Sequence, residues 1–277
     1  MEGASEAQRA CRVLFAADVD AHDSGRPGYP EPVYDLLREV CGLGSRTRVL
    51  EIGPGTGQAT GRLLDHGASV TAIELGADLA RRLRAKYADR DLAVEVGPFE
   101  EVELAAASID LIVAATSFHL VPTDTGLRRC ADILRPGGWL ALWWTNFGDP
   151  ARPDPFHDAL VPILTRLAPS LLDVTSAGNV GSAASPYALD AERRIAELDA
   201  TDRFGAVRHE VIAWTGRHGP GELRNLFASF SPWLALPTDL RDDVLDALEQ
   251  LATDTFGGVV ERPYLTPIYL ARRHGNA

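Results

Sequence analysis

The stretch Val49-Leu50-Glu51-Ile52-Gly53-Pro54-Gly55-Thr56-Gly57-Gln58 decides the fold. Apolar positions and one acid run into three glycines, and an amphipathic segment follows. Val49 to Ile52 read as the end of a buried strand. Gly53, Gly55 and Gly57 tolerate positive φ and leave no Cβ in the way of a ligand lying close to the backbone. A helix starting near Gln58 points its unpaired N–H groups over them. An open α/β sheet builds a nucleotide site in this way, at the carboxyl edge of its strands.

The dinucleotide fingerprint G-x-G-x-x-G would need its third glycine at Gln58, so that pattern fails and a dehydrogenase is disfavoured. The spacing is instead E-x-G-x-G-x-G. An acid just ahead of the loop is awkward for a pyrophosphate and suits a cationic ligand with a free ammonium group. Glu74 lies 17 positions beyond Gly57 (74 − 57) and ends the next apolar run, Ser69 to Ile73. A carboxylate there accepts both hydroxyls of a ribose. A single glycine motif would also fit a turn with no ligand; two acids at these places argue against it.

Together these residues resemble the class I S-adenosylmethionine (SAM)-dependent methyltransferases, in particular the small-molecule enzymes of methyltransferase type 11 and the trans-aconitate methyltransferase-like group. A second hallmark is Leu134-Arg135-Pro136-Gly137-Gly138, read as a sharp turn into an apolar strand, Trp139 to Thr145. The resemblance implies a Rossmann-like, seven-stranded, mostly parallel α/β sheet with helices on both faces and an antiparallel last strand. It also implies a helical cap inserted after the fifth strand. SAM would be the cofactor, S-adenosyl-L-homocysteine (SAH) the product, and no metal would be needed. Mapped onto this chain, the cofactor residues are Glu51, Gly53, Pro54, Gly55, Thr56, Gly57, Gln58, Glu74, Leu75, Pro98, Phe99, Glu100, Thr116 and Ser117. Pro98 stands where the family commonly has an acid for the adenine amine, leaving Glu100 as the substitute acceptor.

Composition bounds the partners. The 277 residues are 45% hydrophobic, ample for a core, and the net charge of −12 argues against a nucleic-acid partner. Cys11, Cys41 and Cys130 are widely spaced and show no metal-ligand pattern. No apolar run approaches a membrane span and the acidic start is unlike a signal peptide. The expectation is a soluble cytoplasmic protein, monomer or homodimer, acting on a small-molecule acceptor.

Along the chain, residues 1–30 read as an N-terminal helix (Ser5 to Ala17) and a lid loop, 31–147 as the SAM-binding core, 148–206 as the cap, and 207–277 as strands and helices completing sheet and cap. Pro162 is expected to interrupt a helix over Phe156 to Leu167. Pro169 to Pro186 reads as the most mobile segment. Pro267 within the last strand predicts a bulge.

Methyl transfer from a sulfonium is an in-line displacement in which alignment is worth on the order of 7–11 kcal/mol. A hydroxyl acceptor needs a general base; a carboxylate or ionised enol does not. His119, at the end of the apolar run Ile109 to Ala114, is the candidate base, and a packed histidine shaping the pocket is the alternative reading. His22 is a weaker candidate. Arg26, Tyr29, Phe118, His119, Trp144 and Asn146 are the candidate substrate residues; Tyr29 reads equally as a core residue of a rigid turn. Alternation puts Trp143 and Trp144 on opposite faces, so at most one lines the acceptor cavity. Natural-product acceptors methylated on O, N or C fit such a pocket. Two other readings keep the cofactor: an enzyme catalysing a non-methylating cyclisation or rearrangement, and a non-catalytic regulatory subunit.

Overall fold

The computed structural model describes residues 25–172 and 187–275. The expected helix over Ser5 to Ala17, His22 and most of the Pro169 to Pro186 segment lie outside the described residues.

Strands β1 (Arg48–Ile52), β2 (Ser69–Glu74), β3 (Leu92–Val96), β4 (Ile109–Ala115), β5 (Leu134–Trp143), β6 (Arg208–His218) and β7 (Val260–Arg272) form one sheet. Their order is β3-β2-β1-β4-β5-β7-β6. β1 to β5 pair in parallel, and β7 runs antiparallel to both β5 and β6. Strand order reverses between β1 and β4, so a crevice opens where those two strands end, at Gly53 and Thr116.

Both faces of the central strands are covered, which is why β1 and β4 read as nearly unbroken apolar runs. Leu50, Ile52, Ile112 and Ala114 face one core with α4 (Thr123–Ile133). Val49, Leu111 and Val113 face the other, with α1 (Glu31–Cys41) and α2 (Thr60–Asp65). α1 carries Pro32 in its first turn and stops at Gly42, whose φ of 73° is the left-handed cap. α3 (Ala77–Lys86) packs Leu79, Ala80 and Leu83 inward. Each fully buried leucine of this kind contributes roughly 1.5–3 kcal/mol.

The cap is assembled from two parts of the chain. α5 (Pro155–Leu167) packs Phe156, Leu160 and Leu164 against α7 (Pro220–Ala228), α8 (Ser231–Leu234) and α9 (Thr238–Asp254) in a third hydrophobic cluster. α6 (Ala191–Asp199) instead lays Leu198 and Ile195 on the sheet-side core beside Phe118 and Trp144. α5 and α6, both within 148–206, thus pack into different clusters.

Three local expectations are corrected. α5 runs through Pro162 without interruption; this proline is on the exposed side, where water can satisfy the carbonyl it leaves unbonded. No bulge forms at Pro267, which pairs with Val211 in unbroken register. Its carbonyl accepts the Trp144 N–H on the β5 side, just where the β5 ladder ends, so the missing donor interrupts nothing. The Leu134 to Gly138 segment is not a separate turn: it opens β5 itself, with a register shift against β4 between Ile109 and Leu111 and Gly137 at φ 74°.

Candidate cofactor and acceptor site

The ends of β1, β2 and β4, the loop 97–100 and residues 26–29 surround a cavity of about 1240 Å³, counting the space open to solvent at its mouth. The glycine loop after β1 bends through three positive φ angles: 64° at Gly53, 58° at Gly55 and 90° at Gly57. The three have different physical reasons. A Cβ on Gly53 would lie 2.7 Å from that of Ser117. On Gly57 it would strike Leu83 at 2.7 Å and the Tyr87 ring at 2.9 Å. On Gly55 it would meet nothing within 4 Å, because that position faces the cavity. Gly57 thus serves the packing of α3 and does not line the cavity. Tyr87 and Lys86 hold the loop from behind, donating to the Gly57 and Thr56 carbonyls at 3.1 and 2.9 Å.

Two carboxylates flank this cradle. Glu51 is 1% exposed and accepts the Thr60 hydroxyl at 2.6 Å. Burial pushes its pKa up to about 7, Thr60 opposing and Glu74 adding to the rise. Glu74 accepts the Gly55 N–H at 3.0 Å and the Gly76 N–H at 2.9 Å. Burial also raises Glu74, against those backbone bonds. Glu74 therefore fixes the open glycine while keeping a face on the cavity. Pro54, Thr56, Gln58, Leu75, Pro98, Phe99, Glu100, Thr116 and Ser117 line the same space, and the Gln58 amide donates to the Thr56 hydroxyl at 2.6 Å. Phe99 is buried, with the Arg129 guanidinium 5.5 Å from its ring. The Ser117 hydroxyl donates to the Ile52 carbonyl, tying β4 to the loop.

Thr116 carries φ 57°, a conformation that costs a β-branched residue on the order of 1–3 kcal/mol. Its surroundings over-determine it. Its N–H donates to the Trp143 carbonyl at 2.7 Å, and its hydroxyl accepts from Tyr29 at 3.0 Å and from the Thr145 N–H at 3.3 Å. Nothing in a single threonine announces such a backbone.

Of the candidate substrate residues, Arg26 and Tyr29 line the cavity, whereas Phe118, His119, Trp144 and Asn146 do not. Phe118 is 1% exposed in the sheet-side core. Trp144 turns to the same core and donates its indole N–H to His119 Nδ1 at 3.2 Å. Burial, aided by the Arg26 charge, lowers the His119 imidazole to about 4. Asn146 pairs with Leu265 through its backbone and donates its amide to the Gly148 carbonyl. Trp143 packs on the opposite core, so neither tryptophan reaches the cavity. The wall is made instead by Leu120, Val121, Thr145 and Phe147. Past Trp143 it is the odd-numbered side chains Thr145 and Phe147 that reach the cavity, while Trp144 turns to the sheet-side core.

Residues 50–142 match the family described as "Methyltransferase domain". An uncharacterized methyltransferase of Mycobacterium tuberculosis is 28% identical, with 88% of this chain and 87% of that protein aligned. One from Geobacillus sp. (strain WCH70) is 31% identical, covering 49% of this chain and 68% of that protein. The chain belongs to the class I SAM-dependent methyltransferases. Solved structures carry the methyltransferase fold across most of the chain. A putative type II methyltransferase from Anaeromyxobacter dehalogenans superposes with a TM-score of 0.58 at 24% identity, covering 90% of this chain and 97% of that one. The [4+2]-cyclase SpnF superposes with a TM-score of 0.55 at 15% identity, covering 100% and 99%. The methyltransferase uses SAM. Among the described residues, no group of His, Cys, Asp and Glu side chains is arranged to hold a metal ion, and no helix is long and apolar enough to cross a membrane.

Proposed function

We propose that this methyltransferase moves the SAM methyl group to O, N or C of a small, natural-product-like metabolite seated between the glycine loop and the cap. The observation that carries the assignment is the pair Glu51 and Glu74 on either side of the open Gly55. In this reading Glu51 receives the ammonium group and Glu74 the ribose hydroxyls. Leu75, Phe99 and Glu100 flank the base. SAM supplies an electrophilic methyl carbon on a sulfonium. The chain's contribution is alignment: the strained Thr116 and its bond to Tyr29 hold residues 26–29 over the cavity. His119 and Trp144 brace the wall from behind.

The net charge of −12 favours a small acceptor over a nucleic acid. The likeness to SpnF concerns the fold, and it makes cofactor stoichiometry the right test. Purified protein incubated with SAM and a library of small acceptors is expected to form one SAH per product, each product +14 Da. An acceptor transformed while SAM stays intact would favour the non-methylating reading, and SAM binding without any turnover the regulatory one.

A further inference from the structure

The glycine loop is pinned from outside the cavity, an observation that, on the SAM-binding reading above, bears on cofactor affinity. We propose that Lys86 is a positioning residue for SAM: its ammonium group holds the Thr56 carbonyl, so the loop is already shaped for the cofactor before it arrives.

A loop with glycines at 53, 55 and 57 has much conformational freedom to lose. Bonds at successive positions select one conformation. Glu74 accepts the Gly55 N–H at 3.0 Å, the Gly57 N–H donates to the Pro54 carbonyl at 3.0 Å, and the Tyr87 hydroxyl donates to the Gly57 carbonyl at 3.1 Å. Lys86 Nζ donates to the Thr56 carbonyl at 2.9 Å. The peptide unit between Thr56 and Gly57 is thereby held at both polar ends, by Lys86 on its oxygen and by Pro54 on its nitrogen. Pro54, Gly55, Thr56 and Gln58 all line the cavity, and the Thr56 hydroxyl accepts the Gln58 amide at 2.6 Å. Rotation of that one peptide would disturb the whole cradle.

Lys86 reaches the loop from a rigid base. It stands exposed on the last turn of α3, where a cation also suits the carboxyl end of a helix. α3 is anchored through Leu79, Ala80 and Leu83, and Gly57 closes directly on Leu83 and Tyr87. A charge-assisted bond is about twice as strong as a neutral one, which sets Lys86 above Pro54 and Tyr87 as a clamp on this segment. It is the chain's single lysine; every other member of its 27 Lys and Arg residues is arginine. One carbonyl suits a compact ammonium better than a planar fork built for two acceptors. Without the bond, a smaller fraction of chains holds the shaped loop, and apparent SAM affinity falls in proportion.

The test titrates SAM calorimetrically into the full chain as wild type, Lys86→Met and Lys86→Arg, with hydrogen exchange followed in the absence of SAM. Lys86→Met should bind SAM about tenfold more weakly and exchange faster over residues 53–58, while peptides of β4 and α9 exchange as in the wild type. Lys86→Arg keeps a charged donor and should recover affinity to within about threefold of the wild type. The single lysine also allows a chemical route. N-hydroxysuccinimidyl acetate converts its amine to a neutral amide, with N-hydroxysuccinimide leaving and a proton released. The acetylated wild type should lose about tenfold in SAM affinity, and identically treated Lys86→Arg, with the chain's amino terminus as the control amine, should not. Wild-type affinity in Lys86→Met, an arginine variant as weak as the methionine one, equal losses on acetylation of wild type and Lys86→Arg, or exchange accelerated across the whole chain would overturn the proposal. A wild type that binds no SAM would instead remove the cofactor reading itself, and that failure shows in the first titration.

Discussion

Trp144 donates its indole N–H to Nδ1 of His119 across 3.2 Å. An indole nitrogen can only donate, so the bond puts the imidazole hydrogen on Nε2 and occupies the lone pair that a base would use. His119→Ala is therefore expected to lower kcat less than tenfold at saturating SAM and acceptor. Removing a true general base would cost about 10²–10⁴-fold. A loss in that larger range, with an unchanged melting temperature, would restore His119 as the base.

The same histidine carries an acid sensitivity. Its folded-state value near 4 lies below the ordinary 6.5, so the unfolded chain binds more protons between those two values. The stability this group contributes is complete above about pH 6.5 and is lost as pH falls towards 4. Melting temperatures from pH 8 to 4.5 should fall less steeply in His119→Phe than in the wild type; identical slopes would contradict the assignment.

Glu51 works in the opposite sense. Raised from 4.5 to about 7, it makes the ligand-free fold take up a proton, so stability from this group falls as pH rises through that window. A bound ammonium requires the ionised carboxylate. SAM affinity should therefore rise roughly tenfold between pH 6 and pH 8, and Glu51→Gln should abolish the dependence. A flat calorimetric profile in the wild type would count against Glu51 as the ammonium partner.

Glu74→Ala should weaken SAM binding by roughly 1–3 kcal/mol, through lost charged hydrogen bonds. Part of that loss comes from the loop itself, because Glu74 also holds the Gly55 N–H. Unchanged affinity would remove the ribose assignment.

The sheet and its glycine loop were legible because each depends on local pattern: unbroken apolar runs for β1 and β4, and an acid set two residues ahead of Gly53. The cavity wall beyond β5 was not, because alternation separates Trp143 from Trp144 without saying which parity faces the cavity, and it is Thr145 and Phe147, on the parity of Trp143, that reach it. Gly57 has a second role: its missing Cβ makes room for Leu83 and Tyr87 of a neighbouring segment, a tertiary reason that the loop sequence does not contain. The helices within 155–167 and 220–254 were legible one by one, while their meeting in one cluster follows from which apolar faces pair.

Asp154 supplies a test of the cap. Its Oδ2 accepts from Nε and Nη2 of the fully buried Arg262 at 2.9 and 2.8 Å, while Oδ1 caps α5 by accepting the His157 N–H. Asp154→Ala leaves a buried cation uncompensated and should cost about 3–5 kcal/mol, read by denaturant unfolding. A loss under 1 kcal/mol, the scale of an exposed pair, would show the pair to be dispensable.

The central claim is that the open glycine between two carboxylates cradles SAM, and titration of SAM into wild type and Gly55→Val side by side tests it most directly. A Cβ at position 55 meets no protein atom within 4 Å, so a larger side chain intrudes on the ligand's space more than on the core. The φ of 58° also costs a valine on the order of 1–3 kcal/mol, so the melting temperature is read beside the titration, and Gly55→Asn, which tolerates that backbone, serves as the control. One SAM site per wild-type chain is expected, with binding lost in a Gly55→Val protein whose circular dichroism is unchanged. Undiminished affinity in that variant, or no binding by the wild type, would contradict the account.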